Sequence, residues 1–163
     1  MRQINRDALL MFNMQAELFE KSVDKVNTSS EVFVRRFMNS NVAREFDSGA
    51  ILDDTKSIPA IFSEIEEEYG ESEYGSVKYN KDVMYWCGYL YRYFSYFYKL
   101  SSKQAYKYLS LKYVSSSYEA YHTLDTKAAI ERLLESKGLD LSKDTLIRKG
   151  VEYLKEHNYG SAV

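Results

Sequence analysis

Cysteine, histidine, proline and long apolar runs are all scarce in this 163-residue sequence, and each scarcity removes a class of protein. The one cysteine, Cys87, has no partner for an internal disulfide. With only two histidines, a zinc site would need carboxylates at spacings that no motif describes. One Pro and seven Gly exclude collagen-like chains and Pro/Gly-rich disorder. The most apolar stretch, 83–97, falls short of the roughly 20 apolar residues that cross a bilayer, and it carries Arg92. Residues 1–7 hold no apolar run with a small-residue cleavage site. Phosphate loops, dinucleotide fingerprints and nucleophile elbows are missing as well. The expectation from these absences is a cytoplasmic protein with no membrane contact, no metal and no cofactor.

What is present is an ordinary globular composition, 45% hydrophobic and 28% charged. A chain of this length buries about two-thirds of its unfolded surface. Apolar residues recur at spacings of three and four, which predicts an all-α fold. Ala8, Phe12, Ala16 and Phe19 predict a first helix over 6–25 with Asn5 as its cap. Thr28 and Glu31 have capping-box spacing for a second over 29–39, and Ser40 opens a short third. Ser57 with Pro59 starts a fourth helix that Gly70 stops. Residues 70–79 have no helical period and read as a loop or irregular hairpin.

Asn80 then caps a helix over 81–99 on which the fold is expected to be built. Val83, Trp86, Leu90, Phe94 and Phe97 form one stripe of it, and Tyr85, Tyr89, Arg92, Tyr96 and Lys99 the opposite one. A helix this apolar around its circumference belongs in the middle of a domain, and Gly88 with Ser95 on its flank lets a neighbour approach closely. Ser101 with Gln104 repeats the capping box, a helical run follows from Leu111 to Tyr121, and Asp125 caps a helix over 126–137 closed by Gly138. Ser142 starts a last helix. The expected architecture is one domain over 1–163, an irregular, orthogonally packed set of about seven or eight helices around the buried 81–99 helix, with 137–163 as a C-terminal helical extension.

The net charge of −2 conceals an asymmetry. Residues 45–75 carry ten acids against Lys56, and residues 78–112 carry six Lys and Arg92 against Asp82. Two solvated faces explain this, and so does a basic face for an anionic partner. Tyrosine is unusually common, with 16 in the chain, fourteen of them between Tyr69 and Tyr121. Rings with a polar tip serve as an outer core layer or as a binding surface, because they offer large contact area at low entropic cost.

Few residues point to chemistry. Cys87 sits within the apolar central helix, where a thiol is inert. His122, Thr123 and Asp125 cluster before a helix, with Asp125 as its cap and His122 bonded locally to that carboxylate. General acid or base catalysis at His122 is the competing reading. Arg92 among Tyr89, Tyr93 and Tyr96 suits cation–π packing or recognition of an acidic group. Residues 101–122 fit a helix-turn-helix poorly, since no Gly marks the turn.

Four stretches carry a family resemblance: Phe37-Met38-Asn39-Ser40 with Val42-Ala43; Asp82 to Tyr93; Ser101-Ser102-Lys103-Gln104 with Tyr106-Lys107; and Tyr121-His122-Thr123-Leu124-Asp125 with Ala129-Ile130-Glu131-Arg132. Over residues 5–135 the chain resembles a small bacterial family encoded beside short genes for toxin-like proteins, including ADP-ribosyltransferase-like ones, and labelled antitoxins. The resemblance implies a protein partner and no catalytic residue. The resulting expectation is a non-enzymatic binding module that neutralises or chaperones a toxin through Tyr85, Tyr89, Arg92, Tyr93, Tyr96, His122 and Asp125. A small enzyme or nucleotide-binding protein using Arg92, His122 and Asp125 stands second, and a nucleic-acid-binding regulator third. Oligomeric state is left open.

Overall fold

The structure is a computed structural model that describes residues 5–141, so the helix expected from Ser142 onward lies outside the described residues. Within them the chain is all-helical, with nine α-helices, one 3-10 turn and no strand. The helices are α1 (Arg6–Lys25), α2 (Ser30–Met38), α3 (Asn41–Ser48), α4 (Ile58–Tyr69), α5 (Lys81–Tyr98), α6 (Ser102–Tyr108), α7 (Leu111–Ser116), α8 (Tyr118–Tyr121) and α9 (Thr126–Ser136). No helix among these residues is long and apolar enough to cross a membrane.

Side-chain caps set most of the helix starts. Asn5, Ser40, Ser57, Asn80 and Asp125 each accept a hydrogen bond from a first-turn amide, as their positions predict. At α6 the capping box is complete, with Ser101 Oγ accepting from Gln104 N at 3.1 Å and Gln104 Oε1 accepting from Ser101 N at 2.9 Å. The start of α2 differs from the expectation. Ser29, not Thr28, is its cap, and Glu31 turns outward to accept from the Tyr79 hydroxyl at 3.0 Å.

The count exceeds the expected seven or eight because the run 111–121 divides at Ser117. There Ser115, Ser116 and Ser117 all bond back to carbonyls three or four residues earlier, with Ser116 and Ser117 sharing that of Tyr113. Such back-bonding competes with the helical ladder.

The core is built around α5, which α1 accompanies antiparallel. Asp24 meets Lys81 at one end, Gln15 meets Gly88 midway, and Phe12 meets Tyr96 and Phe97 at the other. Gly88 makes this closeness possible, since a Cβ there would lie 2.7 Å from the Gln15 carbonyl oxygen and 2.9 Å from Ala16 Cα. Phe19, Phe33, Phe37 and Phe46, from α1, α2 and α3, then pack edge to face, with ring centroids 5.4 to 5.9 Å apart for Phe19–Phe33, Phe19–Phe37 and Phe37–Phe46. Each such burial contributes roughly 1.5–3 kcal/mol against about 1 for a cap, so tertiary packing rather than capping carries the stability.

The rotation of α5 departs from the sequence reading. Met84, Gly88, Tyr91 and Ser95 are buried together with Leu90 and Phe94, while Val83, Trp86 and Phe97, from the same expected stripe as Leu90, are only half-buried. From Leu90 to Ser95 every residue is buried.

Segment 70–79 has no regular structure but acts as a strap across the start of α2. Ser29 N donates to Tyr74 O and Ser30 N to Val77 O, both at 3.0 Å, while Tyr79 N donates to Ser30 Oγ. Gly75, at φ +80°, passes so close to Ser29 that a Cβ would sit 2.6 Å from its hydroxyl.

Candidate partner-binding surface

The seven residues singled out from sequence separate into three environments. Arg92 is the clearest departure, because it faces no partner. It is 1% exposed, and its guanidinium is consumed inside the protein. Nε donates to Gln15 Oε1 at 2.7 Å, Nη1 to Asp47 Oδ1 at 2.7 Å, and Nη2 to Ser102 Oγ. The Ser102 hydroxyl donates a hydrogen bond to Asp47 Oδ1 at 2.6 Å, and Ser102 N donates to the same carboxylate. Gln15 Nε2 donates to Gly88 O, so one amide joins α1 to α5 at both of its ends. Phe46 lies 5.2 Å below the guanidinium carbon. Burial pulls the Arg92 pKa down and the Asp47 charge opposes that pull. This ion pair ties α3, α5 and α6 together, and its hydrogen bonds offset the cost of removing the Arg92 charge from water, while Asp47 keeps partial contact with solvent.

Tyr93 is a core residue too. At 8% exposure it packs against Phe97 at a tilt of 40° with centroids 4.3 Å apart, and burial, assisted by the Asp125 charge, raises its pKa. Tyr96 is half-buried, edge-on to Phe12 at 5.6 Å and Phe97 at 5.1 Å. It lines a cleft of about 470 Å³ with Asp47, Arg92, Ser95 and Lys99. Asp125 is exposed and caps α9, accepting from Ala128 N at 2.9 Å.

Tyr85, Tyr89 and His122 form the third group, and the structure brings them together. They line an open cleft of about 400 Å³ with Trp86 and Tyr118. The first two turns of α5 present Tyr85, Trp86 and Tyr89 in one register. The break at Ser117 swings Tyr118 against the indole, edge to face at 5.6 Å and 78°. One turn later His122 lies flat on Tyr118, 4.3 Å away at 15°. Its Nδ1 is 2.7 Å from Tyr118 O, an acceptor, which puts a proton on Nδ1. The expected bond from His122 to Asp125 is thus replaced by one to its own preceding turn. Tyr85 is 37% exposed, its hydroxyl donating to Asn13 Oδ1 at 3.3 Å. Tyr89 is half-buried against Phe12, and burial raises its pKa.

Glu20 from α1 and Asp82 from α5 complete the lining of this cleft. Sequence reading missed Trp86, Tyr118, Glu20 and Asp82. A signal existed for Tyr118, four residues before His122 in a helical run; none existed for Glu20, which reaches the cleft only through the pairing of α1 with α5.

The chemistry of the remaining groups is quiet. Cys87 is fully buried, and burial pushes its thiol far above the usual range, so it is no nucleophile. Among the described residues no three His, Cys, Asp or Glu side chains gather as a metal site. Arg92 and His122 line different clefts. No family model matches the chain, and comparison with curated proteins and with solved structures returns no match either.

Proposed function

We propose that the chain is a non-enzymatic protein-binding module, an antitoxin-like protein that neutralises or chaperones a bacterial toxin in the cytoplasm through the cleft of Tyr85, Trp86, Tyr89, Tyr118 and His122. One observation carries the reading: five rings from two parts of the chain, with Trp86, Tyr118 and His122 in mutual contact, line one open surface cleft. Tyr and Trp dominate interface energies because they bury large rigid areas, and half-covered rings are poised to do so. The placement of Arg92 and His122 in different clefts also favours a contact surface over a catalytic centre. The sequence resemblance to antitoxin-like proteins supplies the class of partner.

Co-expression with the product of a neighbouring gene, followed by co-purification, tests the reading. Wild type should retain the partner, and Tyr85→Ala combined with His122→Ala should weaken the complex about tenfold or more, in line with hot-spot losses of ~2 kcal/mol. Absence of a stable complex with any neighbour sinks the antitoxin-like reading. A complex indifferent to these rings moves the interface elsewhere, with the acidic 45–75 segment the next surface to test.

A further inference from the structure

We propose that the aromatic cleft receives an arginine or lysine side chain from a basic segment of the partner protein. The inference rests on the partner-binding reading above and adds the chemistry of what is bound. It reverses the polarity expected from sequence, where the basic stretch 78–112 suggested an acidic partner.

The reversal follows from where the charges go. Lys78 folds back to donate to the carbonyl of Val26, Lys81 pairs with Asp24 at 2.5 Å, and Arg92 is sealed against Asp47. None of the three lines the cleft. Among the described residues no other Lys or Arg does, whereas Glu20 and Asp82 both do. Among the described residues neither of those carboxylates belongs to an ion pair within 4 Å, and the nearby cations have other acids, Lys21 with Glu17 and Lys81 with Asp24. Glu20 reaches Lys81 only as a minor electrostatic influence behind Asp24.

Asp82 lies in the first turn of α5, where its negative charge complements the helix dipole. Asn80 caps α5, its side chain accepting from Asp82 N at 2.7 Å, so the Asp82 carboxylate is not the cap. The rings supply the other half of the recognition. Tyr118 fixes the indole of Trp86 by edge-to-face contact and is itself backed by His122, giving a rigid aromatic wall beside two carboxylates. A guanidinium or ammonium is attracted to ring faces by their quadrupole and to the acids by charge, and Arg adds planar stacking. An acidic side chain in the same place meets two like charges and, among the described residues, no Lys or Arg.

Trp86 is the sole tryptophan of the chain, so its fluorescence reports the cleft directly. Titration of the full chain with an acetylated, amidated Gly-Arg-Gly-Arg-Gly peptide should give a saturable change in Trp86 emission. The matching Gly-Glu-Gly-Glu-Gly peptide should give none. The isosteric pair Glu20→Gln with Asp82→Asn should weaken the Arg peptide at least fivefold with an unchanged melting temperature, while Glu71→Gln with Glu73→Gln, away from the cleft, should leave it bound. No saturation, or equal binding by the Glu20→Gln/Asp82→Asn protein, overturns the proposal. In the co-purification assay, Glu20→Lys with Asp82→Lys should abolish the complex. A complex that survives this reversal yet is lost on Tyr85→Ala with His122→Ala overturns the cationic assignment and leaves the partner-binding reading standing. Failure of wild type to form any complex overturns both.

Discussion

The two halves of α5 use the same kinds of residue to opposite ends. Toward its C-terminus, Arg92 and its surroundings are polar and mutually bonded: the buried guanidinium holds Gln15, Ser102 and Asp47, the last at the edge of a cleft. Toward its N-terminus, Tyr85, Trp86 and Tyr89 are aromatic yet open, meeting Tyr118 and His122 along a surface cleft. A buried cation therefore marks the structural half, and exposed apolar rings mark the half available to a partner. The difference teaches that residue type misleads when separated from satisfaction. A buried charge whose three nitrogens each already donate within the protein has little left to offer, whereas a ring half out of water retains area to bury.

The comparison breaks most sharply at Asp47. Asp47→Ala leaves Arg92 buried without its counter-charge, and urea unfolding should register a loss of about 3–5 kcal/mol. A loss below about 1 kcal/mol would mean that the guanidinium reaches water and that the two halves are alike. Next in size is Gly88→Leu, at the joint between the halves, where the added side chain meets the backbone of α1. Overpacking there should cost about 1–3 kcal/mol, visible as a lowered melting temperature, and an unchanged one would show α1 free to move away. Asp125→Ala removes a helix cap and should cost about 1 kcal/mol without touching the Arg92 network. Smallest is His122→Ala in the open half, expected within about 0.5 kcal/mol of wild type because the residue is exposed and bonded only to its own turn. Thermal melts of the two variants side by side check both magnitudes.

The helices were legible wherever a short-range signal defined them. Asn5, Ser40, Ser57, Asn80, Ser101 with Gln104, and Asp125 all announce their helices within four residues, and each caps as read. Gly88 likewise identified the close approach before the identity of its neighbour, α1, was visible. The misreadings are non-local. Ser29 takes the cap from Thr28 because the strap holds the amides of Ser29 and Ser30 from across the fold. Arg92 reads as free for an acidic partner group because periodicity cannot report that Asp47 and Gln15, 45 and 77 residues away, already hold it. The aromatic cleft was half legible. Tyr85, Tyr89 and His122 stood out, but the acids that set its polarity come from the packing of α1 and from the start of α5.

The strap also bears on the order in which the fold assembles. Backbone and side chain at the start of α2 are joined to residues 74–79, with Tyr79 bonding to Ser30 across 49 positions of sequence. Closing so long a loop costs entropy before its contacts are gained, and such contacts form late. The first turn of α2 therefore matures only once α5 has docked and drawn the strap into place, although α2 itself precedes α5 by more than forty residues. Native-state hydrogen exchange should find the Ser29 and Ser30 amides opening together with the strap, at a lower free energy than the middle of α2.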